Sequence, residues 1–466
     1  MATTEVDDRQ LEQLRRGFHG EVIAAGQEQY DEARTLFNGM IDKRPAVMAQ
    51  CADPEDVVQA LKFAREVGLE VAIRGGGHSV AGASLVDGGL VIDLRVMNAV
   101  SVDPDARTAT VGGGATMSHL DRATEPFGLA TTGGRVTTTG VGGFTLGGGT
   151  GWVDRKLGFA CDRLLSVDLV RADGQQLRAS EEEHPELFWA LHGGGGNFGV
   201  ATAFTFRLDP LPVMTAAVML WPADSGPAVL RRYRDVVESG PDDVGGGFFY
   251  LTGPPEEFVP AELVEQLICF VLVTYTGPQS EAQPFLDAMI ELAPAGKMVV
   301  EVPYAELQCM FDDPPGQRNY WSAEQLAQLP DAAVDAFCAQ SAGLLVPSST
   351  QHVLFPQGGA SARSGSDWPT PFRNAPWVAH PFGVWSDPAD DDRSRQWVRD
   401  VRTAMRPWAT GDVYLNFIGD EGEDRLAAAY GPHYQRLARV KAEHDPDNVF
   451  HINHNIKPAP TVPAQR

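Results

Sequence analysis

The stretch RGGGHSVAG, residues 74–82, places three successive glycines directly before His78, an order that no regular element requires. Glycine admits positive φ and close backbone approach, so the run reads as a loop laid against something it holds. The text on either side indicates the fold that carries it. Upstream, DPEDVVQALKFAREVG (53–68) has Asp53 as a helix N-cap, Pro54 at the first helical position, Val57, Val58, Leu61 and Ala64 on one face, and Gly68 as the stop. LEVAIR follows as a strand running into the glycines. Downstream, LVIDL, TATVGGG and LSVDLVRADGQ read as further short strands. The pattern predicts an α+β domain that holds a ligand with backbone amides.

Three more glycine clusters, at 112–114, 133–151 and 193–199, crowd the same first 200 residues. The last contains G-x-G-x-x-G at Gly194, Gly196 and Gly199, but it follows a helical segment and precedes a strand. That is the reverse of the order that aims a helix N-terminus at a pyrophosphate. No P-loop signature occurs. From 211 the texture changes: AAVMLWP, GGFFYLTG, LICFVLVTYTG, STQHVLF and AHPFGVWS are apolar, strand-like runs, and SEAQPFLDAMIEL and AEQLAQLPDAAVDAFCAQ are helical pieces between them. Beyond 411 the style changes again. The expected organisation is an N-terminal ligand-holding domain over 1–210, a second domain of antiparallel sheet covered by helices over 211–410, and a distinct segment 411–466.

Charge narrows the partners. With 37 basic and 62 acidic residues the formal charge is −25, which repels phosphate backbones and anionic lipid; a small-molecule substrate is expected, with neither nucleic acid nor membrane. The opening residues lack an apolar signal core, and the longest apolar run, LICFVLV (267–273), is too short to span a bilayer, so a cytoplasmic protein is expected. Five cysteines, Cys51, Cys161, Cys269, Cys309 and Cys338, form no C-x-x-C pair; neither a disulfide framework nor a metal site is suggested.

RGGGHSVAG, GGRVTTTGVGGFTLGGGTGWVDRKLGFACDRLLSVDLVRADG (133–174), LFWALHGGGGNFGVATAFTFRL (187–208) and YLNF with DPDNVFHINHNI (414–456) together resemble the berberine bridge enzyme-like FAD-linked oxidases of the vanillyl-alcohol oxidase superfamily. The resemblance implies that 1–210 is an FAD domain completed by 411–466 and 211–410 a substrate domain. It implies that His78 is bonded through a ring nitrogen to the 8α carbon of FAD, and that Cys161 is a second, sulfur-borne attachment, the alternative for Cys161 being a buried core thiol. It also implies cofactor contacts from Arg74, Gly75, Gly76, Gly77, Ser79 and Gly82, from Gly134, Gly142, Gly143 and Gly148, from Gly195, Asn197, Gly199 and Val200 on the adenosine side, and from Asn416 and Asn453 near the ring system.

The implied reaction is oxidation of a CH–OH group of a carbohydrate or of a glycosylated or polycyclic metabolite. Hydride passes to flavin N5, and O2 or another acceptor reoxidises the flavin. Leu164 is the residue implied to govern oxygen access. One departure stands out: many relatives read Y-x-N-Y, whereas this chain reads Tyr414, Leu415, Asn416, Phe417, and a phenyl ring accepts no proton. Tyr414 is the first candidate for the base, with Tyr250, Tyr275, His352 and His380 behind it. Two alternatives remain: a tailoring enzyme that forms a ring or double bond, and a flavin-binding protein without the usual base.

Overall fold

The computed structural model describes residues 6–460 except 366 and 420. Its first sheet is four-stranded, in the order Glu21–Ala24, Val47–Gln50, Leu90–Asp93, Val71–Arg74. The last two and Val47–Gln50 run parallel, which requires a crossover, supplied by the helix Pro54–Val67. That helix starts where Asp53 accepts from the Asp56 amide and stops at Gly68, φ +77°. Its apolar face, Val57, Ala60, Leu61 and Ala64, is buried on the sheet.

A second, antiparallel sheet follows in the order Val100–Asp103, Thr108–Gly112, Val200–Arg207, Leu164–Val170, Gln176–Ser180. The helix Tyr434–His444 buries Leu437 and Ala438 in the same cluster as Phe188, Trp189, Phe198 and Phe204. The chain beyond 411 thus returns to pack with the first 210 residues.

Between them lies an eight-stranded antiparallel sheet whose main path is Gly296–Val302, Met214–Pro222, Leu267–Tyr275, Val244–Thr252, Gln351–Pro356, Trp377–Trp385, Arg318–Trp321. One face packs on the helices Gly226–Ser239, Gln279–Ile290, Asp331–Ala339 and Asp391–Met405, in a core that includes Leu230, Tyr233, Phe337 and Trp397. Residues 323–340, expected to be helical throughout, divide instead: Glu324–Leu326 pairs with the strand Trp377–Trp385, and the helix begins only after Pro330. Proline cannot donate within a helix interior but serves at its start. Among the described residues no helix is long and apolar enough to cross a membrane.

Candidate active site

The other face of the large sheet roofs a cavity of about 530 Å³, within the range of about 300–1,000 Å³ typical of ligand sites. Strand alternation decides what the roof offers. Phe249 and Leu251, Gln351, Val353 and Phe355, and His380 and Phe382 face the cavity. Their sequence neighbours face the helices, so Tyr250 and His352 lie in the opposite layer. His352 gives its Nε2 to the Phe337 carbonyl at 2.9 Å and stacks on Phe337; Tyr275 is likewise absent from the lining.

The floor is built by the glycine loops. The strand Val71–Arg74 delivers Gly75–Ser79 to the cavity edge. Gly76 is required by packing rather than by a ligand: a Cβ there would stand 2.2 Å from the Gly140 nitrogen. Gly77 has φ +79°. The amides of residues 75–79, and those of Gly142 and Gly143 at the start of the helix Val141–Leu146, have no partner among the described residues. Unsatisfied donors in a concave wall are the requirement for holding an anionic or carbonyl-rich group.

His78 stands in this wall. Its ring stacks on Phe37, centroids 4.1 Å apart and planes 21° apart, and Nε2 meets Thr138 Oγ1 at 2.8 Å. Nδ1 has no partner among the described residues. Burial lowers the imidazole to about 4, so the ring is neutral and keeps a lone pair at neutral pH.

The far end is closed by the C-terminal segment. Asn197 donates to the Gly194 and His454 carbonyls at 2.7 and 3.1 Å and accepts from the Ile456 amide at 2.9 Å. Beneath it Lys441, fully buried, donates to the Asn197 and Phe450 carbonyls and to Asp445 at 2.6 Å. This lattice brings Ile452, Asn453 and His454 to the cavity beside Gly195 and Gly199. Asn453 Nδ2 donates to the Gly196 and Phe450 carbonyls, while its Oδ1 is buried without a partner.

Where floor and roof meet, Tyr414 and Asn416 line the cavity. The phenol oxygen accepts from the Thr150 amide at 3.2 Å and from Asn416 Nδ2 at 2.9 Å, and burial raises its pKa. These two donors favour a phenolate, but burial outweighs them, so the hydroxyl is a neutral phenol at neutral pH. Phe417 stacks flat on His380, centroids 4.1 Å and planes 13° apart. The Nδ1–H of His380 must donate to the Ser322 carbonyl at 2.8 Å, so Nε2 carries the lone pair. Burial lowers this ring to about 3, so it too is neutral.

Comparison with known proteins agrees with this geometry. Residues 45–180 match the family "FAD binding domain" and 413–457 match "Berberine and berberine like". The (R)-6-hydroxynicotine oxidase of Paenarthrobacter nicotinovorans is 31% identical over 94% of this chain and 97% of its own length. The chain belongs to the berberine bridge enzyme-like family of FAD-linked oxidoreductases. An uncharacterized FAD-linked oxidoreductase of Bacillus subtilis is 29% identical over 94% of this chain and 97% of its own. Among solved structures, 6-hydroxy-D-nicotine oxidase from Arthrobacter nicotinovorans superimposes with a TM-score of 0.85 at 28% identity, covering 95% and 98% of the two chains. The berberine bridge enzyme of Eschscholzia californica shares the fold, with a TM-score of 0.84 at 22% identity, covering 97% and 99%. The protein is an FAD-linked enzyme with the two-domain vanillyl-alcohol oxidase fold.

Within this family member, Gly75, Gly76, Gly77, His78, Ser79, Gly134, Gly142, Gly143, Gly195, Asn197, Gly199, Tyr414, Asn416 and Asn453 all line one cavity. Five expected residues do not. Arg74 turns back to the Ala33 and Thr35 carbonyls. Gly82, φ +66°, makes a turn against Ile41. Gly148 supplies its carbonyl to the Cys161 amide, and Val200 is buried in the four-stranded sheet's core.

Cys161 lies outside the lining and is 0% exposed, and burial raises its thiol well above the ordinary value. None of the five cysteines lines the cavity. The core-thiol alternative therefore fits the packing, and the second flavin link does not. Leu164 also stays outside. The sequence reading missed Phe37, Thr138, Arg135, Trp152 and the roof phenylalanines. For the roof, the signal was present as the two-residue alternation within apolar strands.

Proposed function

We propose that this enzyme carries FAD attached through His78 alone and oxidises a C–H bond next to a hydroxyl or amine on a small, largely aromatic metabolite. Residues 1–210 and 411–466 form the cofactor body and 211–410 the substrate body. The observation that carries the reading is one wall holding a neutral histidine, a run of unpartnered amides and the orphaned Asn453 Oδ1, which fits FAD. When bound, FAD supplies a two-electron acceptor for hydride.

The chain's own residues do the rest. Thr138 and Phe37 fix the His78 ring, leaving Nδ1 for attachment. Gly75–Ser79, Gly142 and Gly143 offer amides to the polar part of the cofactor, and Asn453 accepts from it. Phe417 and the Ser322 carbonyl hold His380 so that its Nε2 lone pair accepts a hydrogen bond from the substrate's O–H or N–H and orients it. The roof, with Phe249, Phe270, Phe355 and Phe382, excludes water and favours flat apolar rings over sugars, whose many hydroxyls need as many polar partners. The hydroxynicotine oxidase among the relatives agrees with an aromatic substrate.

The test is a panel of aromatic alcohols, aromatic amines and oligosaccharides added anaerobically to the yellow protein. Bleaching by an aromatic compound supports the reading; bleaching by sugars alone overturns it.

A further inference from the structure

We propose that Arg135 is the specificity determinant of this cavity and that the substrate is a planar aromatic compound carrying an anionic oxygen, a carboxylate or an acidic phenol. The inference rests on the aromatic roof and the flavin-enzyme reading above, and it adds the charge of the substrate.

Among the described residues Arg135 is the one lysine or arginine lining the cavity. Its guanidinium carbon lies 4.0 Å from the ring centre of Phe355 and 4.9 Å from that of Trp152. Around these stand Phe249, 5.9 Å from Phe355, and Phe311, 5.8 Å from Trp152. A cation set among rings gains attraction from their faces, yet its hydrogen-bonding needs are poorly met. Nη2 reaches the Gly151 carbonyl at 3.0 Å; Nη1 has only long contacts of 3.4 Å to Thr150, and Nε is buried with no partner. No carboxylate among the described residues pairs with it by contact. Asp154 attracts it through space, but Asp154 Oδ2 is itself buried without a partner.

A buried cation with spare donors calls for an anion, and a planar guanidinium suits a carboxylate edge. The position also orients the ligand. Asp312 also lines the cavity but accepts from the Thr137 amide and hydroxyl, and burial raises Asp313 to about 7, so the group left to draw the charged oxygen is Arg135. The rings of the substrate then lie among Trp152, Phe249 and Phe355. Arg135 reaches the cavity from the segment that also supplies Gly134, whereas the unpartnered amides belong to the 75–79 loop and to Gly142 and Gly143. The cofactor phosphates thus have donors of their own.

The experiment titrates the flavin-bearing protein with 2-naphthoate and with 2-naphthamide, which share size and shape and differ in charge, by isothermal calorimetry. Wild type should bind naphthoate tighter by roughly tenfold to a hundredfold, the scale of a buried hydrogen bond to a charged group. Arg135→Met should lose that preference and bind the two alike, and Arg135→Lys should keep part of it. Equal binding by wild type, or an anion preference that survives in Arg135→Met, overturns the proposal. So does an Arg135→Met protein that keeps the preference while its flavin potential shifts, since the cation would then serve the cofactor. Flavin content, read separately after acid precipitation, reports on the broader function: colourless protein refutes that reading whatever the naphthoate result.

Discussion

Replacing Lys441 by methionine tests whether the C-terminal segment is what closes the cofactor site. Lys441 is 0% exposed and donates to Asp445, to the Asn197 carbonyl and to the Phe450 carbonyl at 2.6, 2.7 and 2.9 Å. Methionine keeps the stem's volume and removes all three bonds. Breaking a buried pair by deleting one partner costs about 3–5 kcal/mol. Asp445 keeps the amides of Val449 and Phe450 as donors, which places the loss near the lower figure. An unfolding entropy of roughly 2.1 cal/mol/K per residue gives about 1 kcal/mol/K for 466 residues, so Tm should fall by about 3 °C. The loosened segment carries Asn453 and His454, so the fraction of chains bearing flavin should fall as well. The assay is differential scanning fluorimetry with the ratio of flavin to protein absorbance. In Lys441→Met/Asp445→Leu, where the pair becomes apolar, part of the Tm should return. A single variant with unchanged Tm and full flavin content refutes the argument.

Further outcomes follow from the site. His78→Ala should release all flavin on acid precipitation, whereas Cys161→Ser should leave it in the pellet; flavin retained in the pellet of His78→Ala would restore the sulfur link. His380→Leu should slow flavin reduction by the active aromatic substrate by roughly tenfold to a hundredfold, the scale of a substrate hydrogen bond left unmade, with flavin content intact, and Tyr414→Phe should slow it far less; stopped-flow spectroscopy under argon distinguishes them. Asp121 gives a pH signature: burial raises it to about 8 from 3.8, so the native state holds its proton where the unfolded chain has released it. Stability from this group is therefore present below about pH 4 and lost as pH rises to about 8. Asp121→Asn should raise Tm at pH 8 and change it little at pH 4; equal shifts at both would refute the sign.

Much of the frame is readable from local text. Asp53, Pro54 and Gly68 mark a helix because caps and stops are local chemistry, and the glycine clusters announce backbone amides turned toward a ligand. The loop amides and Asn453 required only the motifs. What the sequence concealed is set by direction. Tyr250 and Phe249 are adjacent letters on opposite faces of one sheet, and only the strand's registration against its neighbours says which faces the ligand. Cys161 sits in a motif-rich stretch, but its side chain points into packed core, and composition carries no vector. Gly76 misleads in another way: its lack of a side chain accommodates Gly140 of the neighbouring loop rather than a cofactor.

The cavity's walls are gathered from Phe37 at one extreme of the sequence to His454 at the other, with bonds such as Asn453 to Gly196 spanning 257 positions. No fragment of the polypeptide therefore owns a partial version of the pocket; it comes into being when the last long-range closure is made. A ligand that binds only that finished state draws its stabilisation from the whole molecule. Yellow colour in a preparation is then a census of completed chains, and a lesion far from the flavin, at either extremity, should declare itself first as a paler protein.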